Sequence, residues 1–388
     1  MVLLVAGCGK SPEWESLQPD PPQGGEASAP LTWDSLADSC TFVLTEQFLN
    51  KAEGWFWSTP GDAGKGSAYI YWQQAHAEDV LIAAYKRVRE TDKTRAAQYE
   101  EWFKKWYASR AHNYNTSRAS EGAAGGFFNA FTDDMVWICL TLMHLEEATG
   151  DRTYSDTARE VYDKYIIPRA WKDSKGTGLP WQNNEANRGR NACTNAPGML
   201  LAALLHRKYG EQRYLDEAVM LYDFIAANLL SSDGRVEEPP LTYTQGTFAE
   251  ACRQLYHITG ETPYMNLAAK VMEYAFTSGR CTNAETGGLR NEGTSMDQSI
   301  FKAVLIPYAV DFVLDEKAPA AAKRIVRERL MLNARLLNAS LDRFAWPAMF
   351  VNYYWGKTFD GSGHASMGAQ VSGASLMEGM ARLGGKRQ

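Results

Sequence analysis

The chain has 388 residues, of which 45% are hydrophobic and 22% charged, as in an ordinary globular protein that folds as one large domain or a few smaller ones. Its net charge is −6 and no basic run exceeds a few residues, which argues against a nucleic-acid partner, since that needs clustered Lys and Arg. The 12 Trp and 19 Tyr residues instead suit sugars, whose apolar faces stack on aromatic rings.

Residues 1–30 predict a bacterial lipoprotein signal remnant followed by a flexible tether. An apolar start ends in Val5-Ala6-Gly7, directly before Cys8, the residue that we expect to carry the lipid. The next residues are rich in Pro, Gly, Ser and Gln and cannot bury enough apolar surface to fold. No later segment approaches the roughly 20 apolar residues of a membrane-spanning helix. We therefore expect the protein in the bacterial cell envelope, on the outer membrane surface or in the periplasm, with only a lipid anchor in the membrane.

A helix–turn–helix repeat runs through residues 31–388, which we interpret as one domain. Three segments share a polar helix start, apolar residues at three- and four-residue spacing, and a glycine followed four positions later by a tyrosine. They cover residues 133–166, 195–230 and 245–276. Residues 73–110 and 297–339 follow the same layout less clearly, and single helices at 33–50 and 366–383 remain to pair with each other. The pattern predicts six helix pairs that close into a ring.

Within each predicted pair, the first helix is apolar on several faces and the second is more charged. A helix that is apolar all round is buried, whereas one with a single apolar stripe faces water. The sequence therefore predicts an all-α fold, an (α/α)6 barrel of six inner and six outer helices. In such a ring the loops before the inner helices converge on one cavity.

Asp133 and Asp134 are the candidate catalytic residues. They stand where a glycine- and aromatic-rich loop enters an apolar helix, whose N-terminus stabilises one carboxylate. The charge of that carboxylate raises the pKa of its neighbour, so one group can attack while the other donates a proton. Adjacency favours the separation of about 5 to 5.5 Å of retaining glycosidases over the larger spacing of inverting ones. The alternative is that Thr132 or Asp133 only caps the helix.

Seven further side chains are candidates for substrate binding because they fall at or just before predicted inner-helix starts. These residues are Trp72, His76, Trp181, Asn195, Gln245, Asp297 and Tyr353. Five of them have a structural alternative: His76 as a core histidine, Trp181 in loop packing, and Asn195, Gln245 and Asp297 as helix caps. Gln245 is a poor cap, which favours a ligand contact. No cluster has metal-ligand spacing and no loop resembles a phosphate cradle, so we expect neither metal nor cofactor.

Two motifs resemble family 76 glycoside hydrolases: Phe-Thr-Asp-Asp-Met-Val-Trp at 131–137 and Tyr-Trp-Gln-Gln-Ala-His-Ala-Glu-Asp-Val-Leu-Ile at 71–82. The resemblance implies an (α/α)6-barrel endo-α-1,6-mannanase that cuts the mannan backbone with retention. It also implies Asp133 as nucleophile, Asp134 as acid/base and α-mannan polysaccharide or oligosaccharide as partner; we expect a monomer. Alternatives are a mannan transglycosidase, as fungal relatives remodel cell-wall mannan, and a non-catalytic surface protein that binds glycans.

Overall fold

The computed structural model describes residues 32–61, 71–113, 122–182, 184, 186, 188–361 and 365–384. Thirteen α-helices and one two-stranded sheet make up most of this part of the chain. The predictions for residues 1–30, including lipidation at Cys8, lie outside the described residues. Among the helices that are described, none combines the length and the apolar character needed to cross a membrane.

The helices are α1 (Trp33–Gln47), α2 (Tyr71–Val88), α3 (Lys93–Asn113), the short α4 (Gly122–Gly126), α5 (Thr132–Thr149), α6 (Arg152–Val161), α7 (Ala192–Tyr209), α8 (Gln212–Asn228), α9 (Thr242–Thr259), α10 (Thr262–Thr277), α11 (Met296–Leu314), α12 (Ala320–Ser340) and α13 (Met367–Gly384). A π-helical turn, Tyr162–Ile166, and a 3-10 turn, Ile167–Arg169, continue α6, and a further 3-10 turn spans Arg343–Ala345. Strands β1 (Trp171–Asp173) and β2 (Gly176–Gly178) form an antiparallel hairpin in which Trp171 faces Gly178.

The fold is all-α, and its helices form the predicted closed double ring. Inner helices α2, α5, α7, α9, α11 and α13 each pack on the next, and α13 packs back on α2. Outer helices α3, α6, α8, α10 and α12 pack on the inner helix that precedes them, and α1 packs on α13. Burial follows the same division: α13 buries 15 of its 18 residues, whereas α8 buries five of 17. The first and last helices of the domain therefore complete the sixth pair, as the repeat predicts.

Three of the helix pairs turn at the predicted glycines. Gly150, Gly210 and Gly260 end α5, α7 and α9 with φ of 78°, 72° and 76°, a left-handed conformation that glycine adopts without a Cβ clash. The tyrosine four positions later is buried in each outer helix. These tight turns make each pair antiparallel, so the inner helices all begin at the same end of the barrel.

The fourth residue of four inner helices carries an amide that binds the main chain of a preceding segment. Gln74 holds N and O of Phe56 (2.8 and 2.8 Å), Asn195 those of Leu179 (2.8 and 3.0 Å), Gln245 those of Val236 (3.0 and 2.7 Å), and Gln370 binds Val351 N and Cys40 O (3.1 and 3.1 Å). These bonds fix the segments that lead into the helices.

This repeat corrects the prediction for Asn195 and Gln245. Helices α7 and α9 begin three residues earlier than predicted, so both side chains lie inside their helices rather than at the start. Both are fully buried, and their amides are occupied by main-chain partners. We therefore assign Asn195 and Gln245 to loop anchoring and remove them from the set of substrate contacts.

Candidate functional site

The second residue of each inner helix faces the end of the barrel where these helices begin. In chain order these residues are Trp72, Asp133, Cys193, Tyr243, Asp297 and Gly368. The first five are joined by hydrogen bonds, ring contacts or electrostatic interactions, described below. We call the surface formed by these five residues, together with Asp134 and Trp181, the candidate site.

Asp133 is buried, with 8% of its surface exposed, and its carboxylate is held by uncharged donors. Its Oδ2 accepts hydrogen bonds from Trp181 Nε1 at 3.1 Å and from Cys193 Sγ at 3.4 Å, and its Oδ1 accepts one from Asp134 N at 3.1 Å. Burial raises the pKa of Asp133 above its ordinary value, while these donors favour the ionised form and oppose that rise. The N-cap position of α5 is Phe131, so neither Asp133 nor Thr132 occupies it.

Asp134 is half-buried and has a different environment. Burial raises the pKa of Asp134 well above its ordinary value, and the negative charges of Asp133 and Asp297 raise it further. Hydrogen-bond donors thus converge on Asp133, whereas negative charges act on Asp134. The hydrogen-bond donors therefore favour the ionised form of Asp133, whereas the neighbouring negative charges favour the protonated form of Asp134.

Aromatic rings from four inner helices pack together beneath the carboxyl pair. Tyr243 stacks on Phe301 with a centroid distance of 4.2 Å, and Trp72 lies 6.2 Å from both Phe301 and Trp137. Burial raises the pKa of the Tyr243 hydroxyl well above its ordinary value, and the nearby Cys193 and Asp133 raise it further. Asp133 therefore stands beside an apolar, aromatic surface rather than beside bulk water alone.

Asp297 links two inner helices at the candidate site. Its Oδ1 accepts hydrogen bonds from Trp72 Nε1 at 2.9 Å and from the amide of Gln73. Asp297 itself is exposed, and α11 is capped by Ser295 in a capping box with Gln298. The capping role that the sequence allowed for Asp297 thus belongs to Ser295, and Asp297 presents its carboxylate at the surface near Asp134.

His76 packs against Trp72 of the candidate site, whereas Tyr353 contacts Lys302 of α11. His76 is buried edge-on against Trp72 at 5.3 Å and Trp137 at 5.1 Å. Its Nδ1 is 3.6 Å from Asp79 Oδ2, and Asp79 Oδ1 is 2.9 Å from His144 Nδ1. Although burial alone would raise the pKa of Asp79, the two histidines hold it well below its ordinary range. Tyr353 is half-buried, and its carbonyl accepts a 2.6 Å bond from Lys302 Nζ.

Two segments brace the loop that leads into α5. Arg169, which is 9% exposed, donates to Ala130 O at 3.0 Å, Asn129 O at 2.9 Å and Thr132 Oγ1 at 3.2 Å. Thr132 N donates to Trp181 O at 2.8 Å, next to a β-bridge between residues 131 and 182. Trp181 is 37% exposed, so its ring is available at the surface while its indole N–H holds Asp133.

Two residues of the candidate site, Cys193 and Tyr243, were not predicted from the sequence, and neither was Arg169, which braces the loop before α5. Cys193 and Tyr243 occupy the same helix position as Trp72 and Asp133, a signal that an alignment of the repeats would reveal. Arg169 follows α6 and carries no such signal. Trp72, His76, Trp181, Asp297 and Tyr353 stay predicted substrate contacts. Among the described residues, no group of three or more His, Cys, Asp or Glu side chains is arranged to hold a metal ion.

Several solved structures share this fold, although comparison with curated proteins gives no match. One is an inactive variant of the α-1,6-mannanase GH76A of Salegentibacter sp. HEL1_6, with two consecutive aspartates replaced by alanine, in complex with α-1,6-mannotetrose. It is 24% identical, has a TM-score of 0.77 and covers 91% of this chain and 100% of that chain. The family 76 mannosidase Bt3792 of Bacteroides thetaiotaomicron is 18% identical, with coverage of 90% and 97% and a TM-score of 0.70. Dfg5 from Chaetomium thermophilum, in complex with glucosamine, is 15% identical, with coverage of 92% for each chain and a TM-score of 0.67.

Sequence comparison identifies the family. The model of glycosyl hydrolase family 76 matches residues 32–383, which span every described helix except the last residue of α13. Both motifs that carry the resemblance, at 71–82 and 131–137, fall within this range and form the starts of α2 and α5. The chain therefore belongs to glycosyl hydrolase family 76 and is a glycoside hydrolase.

Proposed function

We propose that this protein is a retaining endo-α-1,6-mannanase that hydrolyses the α-1,6-linked backbone of mannan. The observation that carries the proposal is the unequal environment of two adjacent carboxyl groups at one end of the barrel. Asp133 receives three hydrogen bonds from neutral donors, whereas Asp134 faces the charges of Asp133 and Asp297. Double-displacement hydrolysis needs such a pair, one ionised and one protonated.

In the proposed first step, ionised Asp133 attacks the anomeric carbon and forms a covalent glycosyl ester. Asp134 gives its proton to the glycosidic oxygen as that bond breaks, so the leaving sugar departs neutral. In the second step, Asp134, now ionised, takes a proton from water, and the resulting hydroxide attacks the anomeric carbon and releases Asp133. Two inversions give net retention, and both carboxyl groups return to their starting states.

The substrate part of the proposal has two supports. The GH76A relative is described in complex with an α-1,6-linked mannotetrose and as inactive when two consecutive aspartates are replaced. Asp133 and Asp134 are the one pair of consecutive aspartates in this sequence, and they lie near the partly exposed Trp181 and the Asp297 carboxylate. A stacking ring beside a hydrogen-bond acceptor suits a sugar, which presents both C–H faces and hydroxyl groups.

The test is hydrolysis of unbranched α-1,6-mannan by the wild type, Asp133→Asn and Asp134→Asn. We expect the wild type to release oligosaccharides of several lengths, and each variant to lose at least about 10³-fold in kcat/KM, as expected when a group that acts only in the transition state is removed. Proton NMR of the first products should show the α-anomer, because retention preserves configuration. Circular dichroism of the variants checks that the fold is unchanged.

The outcomes separate the competing interpretations. An initial β-anomer would replace retention by inversion, and products shortened only from one chain end would replace endo action by exo action. Longer products in the presence of added mannotriose would indicate a transglycosidase. Glycan binding that persists in the wild type without any bond cleavage would indicate a binding protein and contradict the proposal.

We also propose that the enzyme is a lipid-anchored monomer of the bacterial cell envelope. The support is the Val5-Ala6-Gly7-Cys8 sequence and the Pro- and Gly-rich tether that follows it. Metabolic labelling with a radioactive fatty acid should mark the wild type but not Cys8→Ser, and Cys8→Ser should leave the membrane fraction. Labelling that is equal in both would contradict the anchor, and light scattering of the released protein tests the monomer.

A further inference from the structure

We propose that Trp181 and Cys193 are positioning residues that hold Oδ2 of Asp133, so that sugar contact at the Trp181 ring and ionisation of the nucleophile depend on one side chain. The roles in catalysis rest on the function proposed above. The geometry that carries the proposal is the convergence of two donors on one oxygen, from Trp181 Nε1 at 3.1 Å and Cys193 Sγ at 3.4 Å.

Trp181 is held rigidly although its ring is partly exposed. The main-chain N–H of Trp181 donates to Gly189 O at 2.7 Å. The main-chain carbonyl of Trp181 accepts from the N–H of Thr132, the residue before Asp133, at 2.8 Å. Its ring also packs on Phe131 at a centroid distance of 5.0 Å. The main chain on both sides of the indole is therefore tied to the loop that carries Asp133, which keeps Nε1 directed at the carboxylate while 37% of the residue stays exposed.

Cys193 remains a neutral donor because of its surroundings. Burial raises the pKa of the Cys193 thiol well above its ordinary value, and the charges of Asp133 and Glu237 raise it further. The thiol thus keeps its proton and donates to Asp133 instead of repelling it as a thiolate. Glu237 Oε2 accepts a 2.8 Å bond from Ala192 N, which fixes the first turn of α7 and with it the position of Cys193.

The two donors have a defined consequence for catalysis. A hydrogen bond to the ionised form of a carboxyl group lowers its pKa, so these donors keep Asp133 ionised at a lower pH than burial alone would allow. Removing either donor should therefore move the acidic limb of the kcat/KM profile to higher pH. A role in packing alone would change stability or KM without moving that limb.

The kinetic test uses conservative variants that separate the donor from the bulk of each side chain. Trp181→Phe keeps an aromatic ring for the sugar but has no N–H, and Cys193→Ser keeps a donor where Cys193→Ala has none. We expect the acidic limb to rise by about one pH unit in Trp181→Phe and in Cys193→Ala, the scale expected for a lost bond to a charged group. Cys193→Ser should stay near the wild type, and KM should change less in Trp181→Phe than in Trp181→Ala.

A spectroscopic test does not depend on mannan hydrolysis. The ¹⁵N-indole signal of Trp181, identified by its absence in Trp181→Phe, should shift with pH as Asp133 titrates and lose that dependence in Asp133→Asn. The indole of Trp72, which donates to Asp297 at 2.9 Å, is the matched control, and its signal should be the same in Asp133→Asn as in the wild type at each pH.

The results decide the two proposals separately. If the Trp181 signal titrates in the wild type but not in Asp133→Asn, and the acidic limb moves as described, the positioning roles are supported. A Trp181 indole that is indifferent to Asp133→Asn, or an acidic limb that is unmoved in folded Trp181→Phe and Cys193→Ala, would overturn them. Failure of the wild type to cut mannan would instead end the proposed function, while the indole titration would still report on the hydrogen bond.

Discussion

Buried carboxyl groups lie at both ends of the barrel, but they have different partners. Where the inner helices end, Glu378 is bound by Arg87 at 2.8 Å and Asp315 by Arg253 at 2.8 Å. Where the inner helices begin, Asp133 is bound by an indole, a thiol and a main-chain amide, and Asp134 faces other carboxylates. Glu378 and Asp315 are thus paired with cations, whereas among the described residues no ion pair to Asp133 or Asp134 is seen.

This difference separates acids that stabilise the fold from acids that are available for chemistry. Although burial alone would raise the pKa of Asp315, hydrogen bonds from His257 and Arg253 hold it below its ordinary value, which suits a structural contact but leaves no proton to transfer. Burial without a cation raises the pKa of both Asp133 and Asp134 toward the range where a proton can be given and taken. The two acids of the candidate site are therefore suited to proton transfer, whereas the ion-paired acids at the other end are suited to stabilising the fold.

The largest effect is expected from Arg87→Met, which removes the cation that pairs with buried Glu378. Arg87 bonds both oxygens of Glu378, whose side chain is 2% exposed, and also Asp38 at 2.8 Å, and thereby ties α2 to α13 and α1 where the ring closes. Removal leaves a buried carboxylate without its cation, so urea unfolding should show a loss of about 3 to 5 kcal/mol. The kcat of the folded fraction should be unchanged.

The control for this prediction is the double variant Arg87→Met/Glu378→Leu. Replacing both partners of a buried ion pair by apolar groups is often nearly neutral, so the double variant should recover most of the lost stability. Asp38 retains Arg95 as a partner at 2.6 Å in both variants. A loss below about 1 kcal/mol in the single variant would mean that the pair does not matter to the closure of the ring.

The next effect is expected from Arg169→Ala, because Arg169 is a buried cation that binds the loop leading to Asp133. Its guanidinium holds the 129–132 segment through three bonds to oxygen atoms. Without it the start of α5 can shift, and a displacement of about 1 Å at reacting groups costs about 10²-fold in rate. We expect kcat on mannan to fall by about that factor, with a smaller change in KM.

Guanidinium ion and Arg87→Met provide the controls for Arg169→Ala. Millimolar guanidinium that enters the vacated space should restore part of kcat, whereas Arg87→Met should show neither the loss of kcat nor any rescue. If Arg169→Ala lowers the unfolding free energy but leaves kcat intact, Arg169 supports the fold and does not position the acids.

The repeat in the sequence predicted the fold well because glycine turns and apolar helices are local features. The turns at Gly150, Gly210 and Gly260 and the pairing of the two end helices follow from spacing alone, and the structure confirms them. The start of α5 was correctly placed within one residue, since the Asp133-Asp134 pair stands directly before the apolar residues 135–140. Local signals of this kind do not depend on distant parts of the chain.

The side chains of the site were harder to predict because hydrogen-bond partners come from distant segments. Asn195 and Gln245 have the polar amides expected of sugar contacts, yet main-chain groups of Leu179 and Val236 use those amides. Helices α7 and α9 begin three residues earlier than the sequence pattern predicts. In α7 this difference places Cys193, rather than Asn195, at the candidate site. Arg169 reaches α5 from a turn 36 residues beyond Asp133, a contact that no spacing rule predicts.

The last effect is expected in the pH dependence of stability, because Glu78 is a buried carboxyl group outside the candidate site. Glu78 on α2 is fully buried away from the candidate site, close enough to Tyr154 of α6 to interact electrostatically. Within the part of the chain that the structure describes, neither carboxyl oxygen has a hydrogen-bond partner. Burial, followed by the charge of Asp79, raises the pKa of Glu78 well above its ordinary value of 4.5, so the folded protein holds this proton more tightly than the unfolded chain does.

A raised pKa in the folded state means that protonated Glu78 makes its full contribution to the unfolding free energy below pH 4.5. This contribution declines as pH rises from there toward the folded-state pKa. The slope from Glu78 is at most about 1.4 kcal/mol per pH unit. Gln has no proton to lose, so the unfolding free energy of Glu78→Gln minus that of the wild type should increase steadily between pH 5 and 8, as measured by urea unfolding. Glu147→Gln, at an exposed position paired with Lys86, should give a nearly flat difference. Parallel curves of unfolding free energy against pH for wild type and Glu78→Gln would mean that a cation or water already compensates Glu78. The lack of a cation would then not by itself distinguish the candidate site from the rest of the barrel.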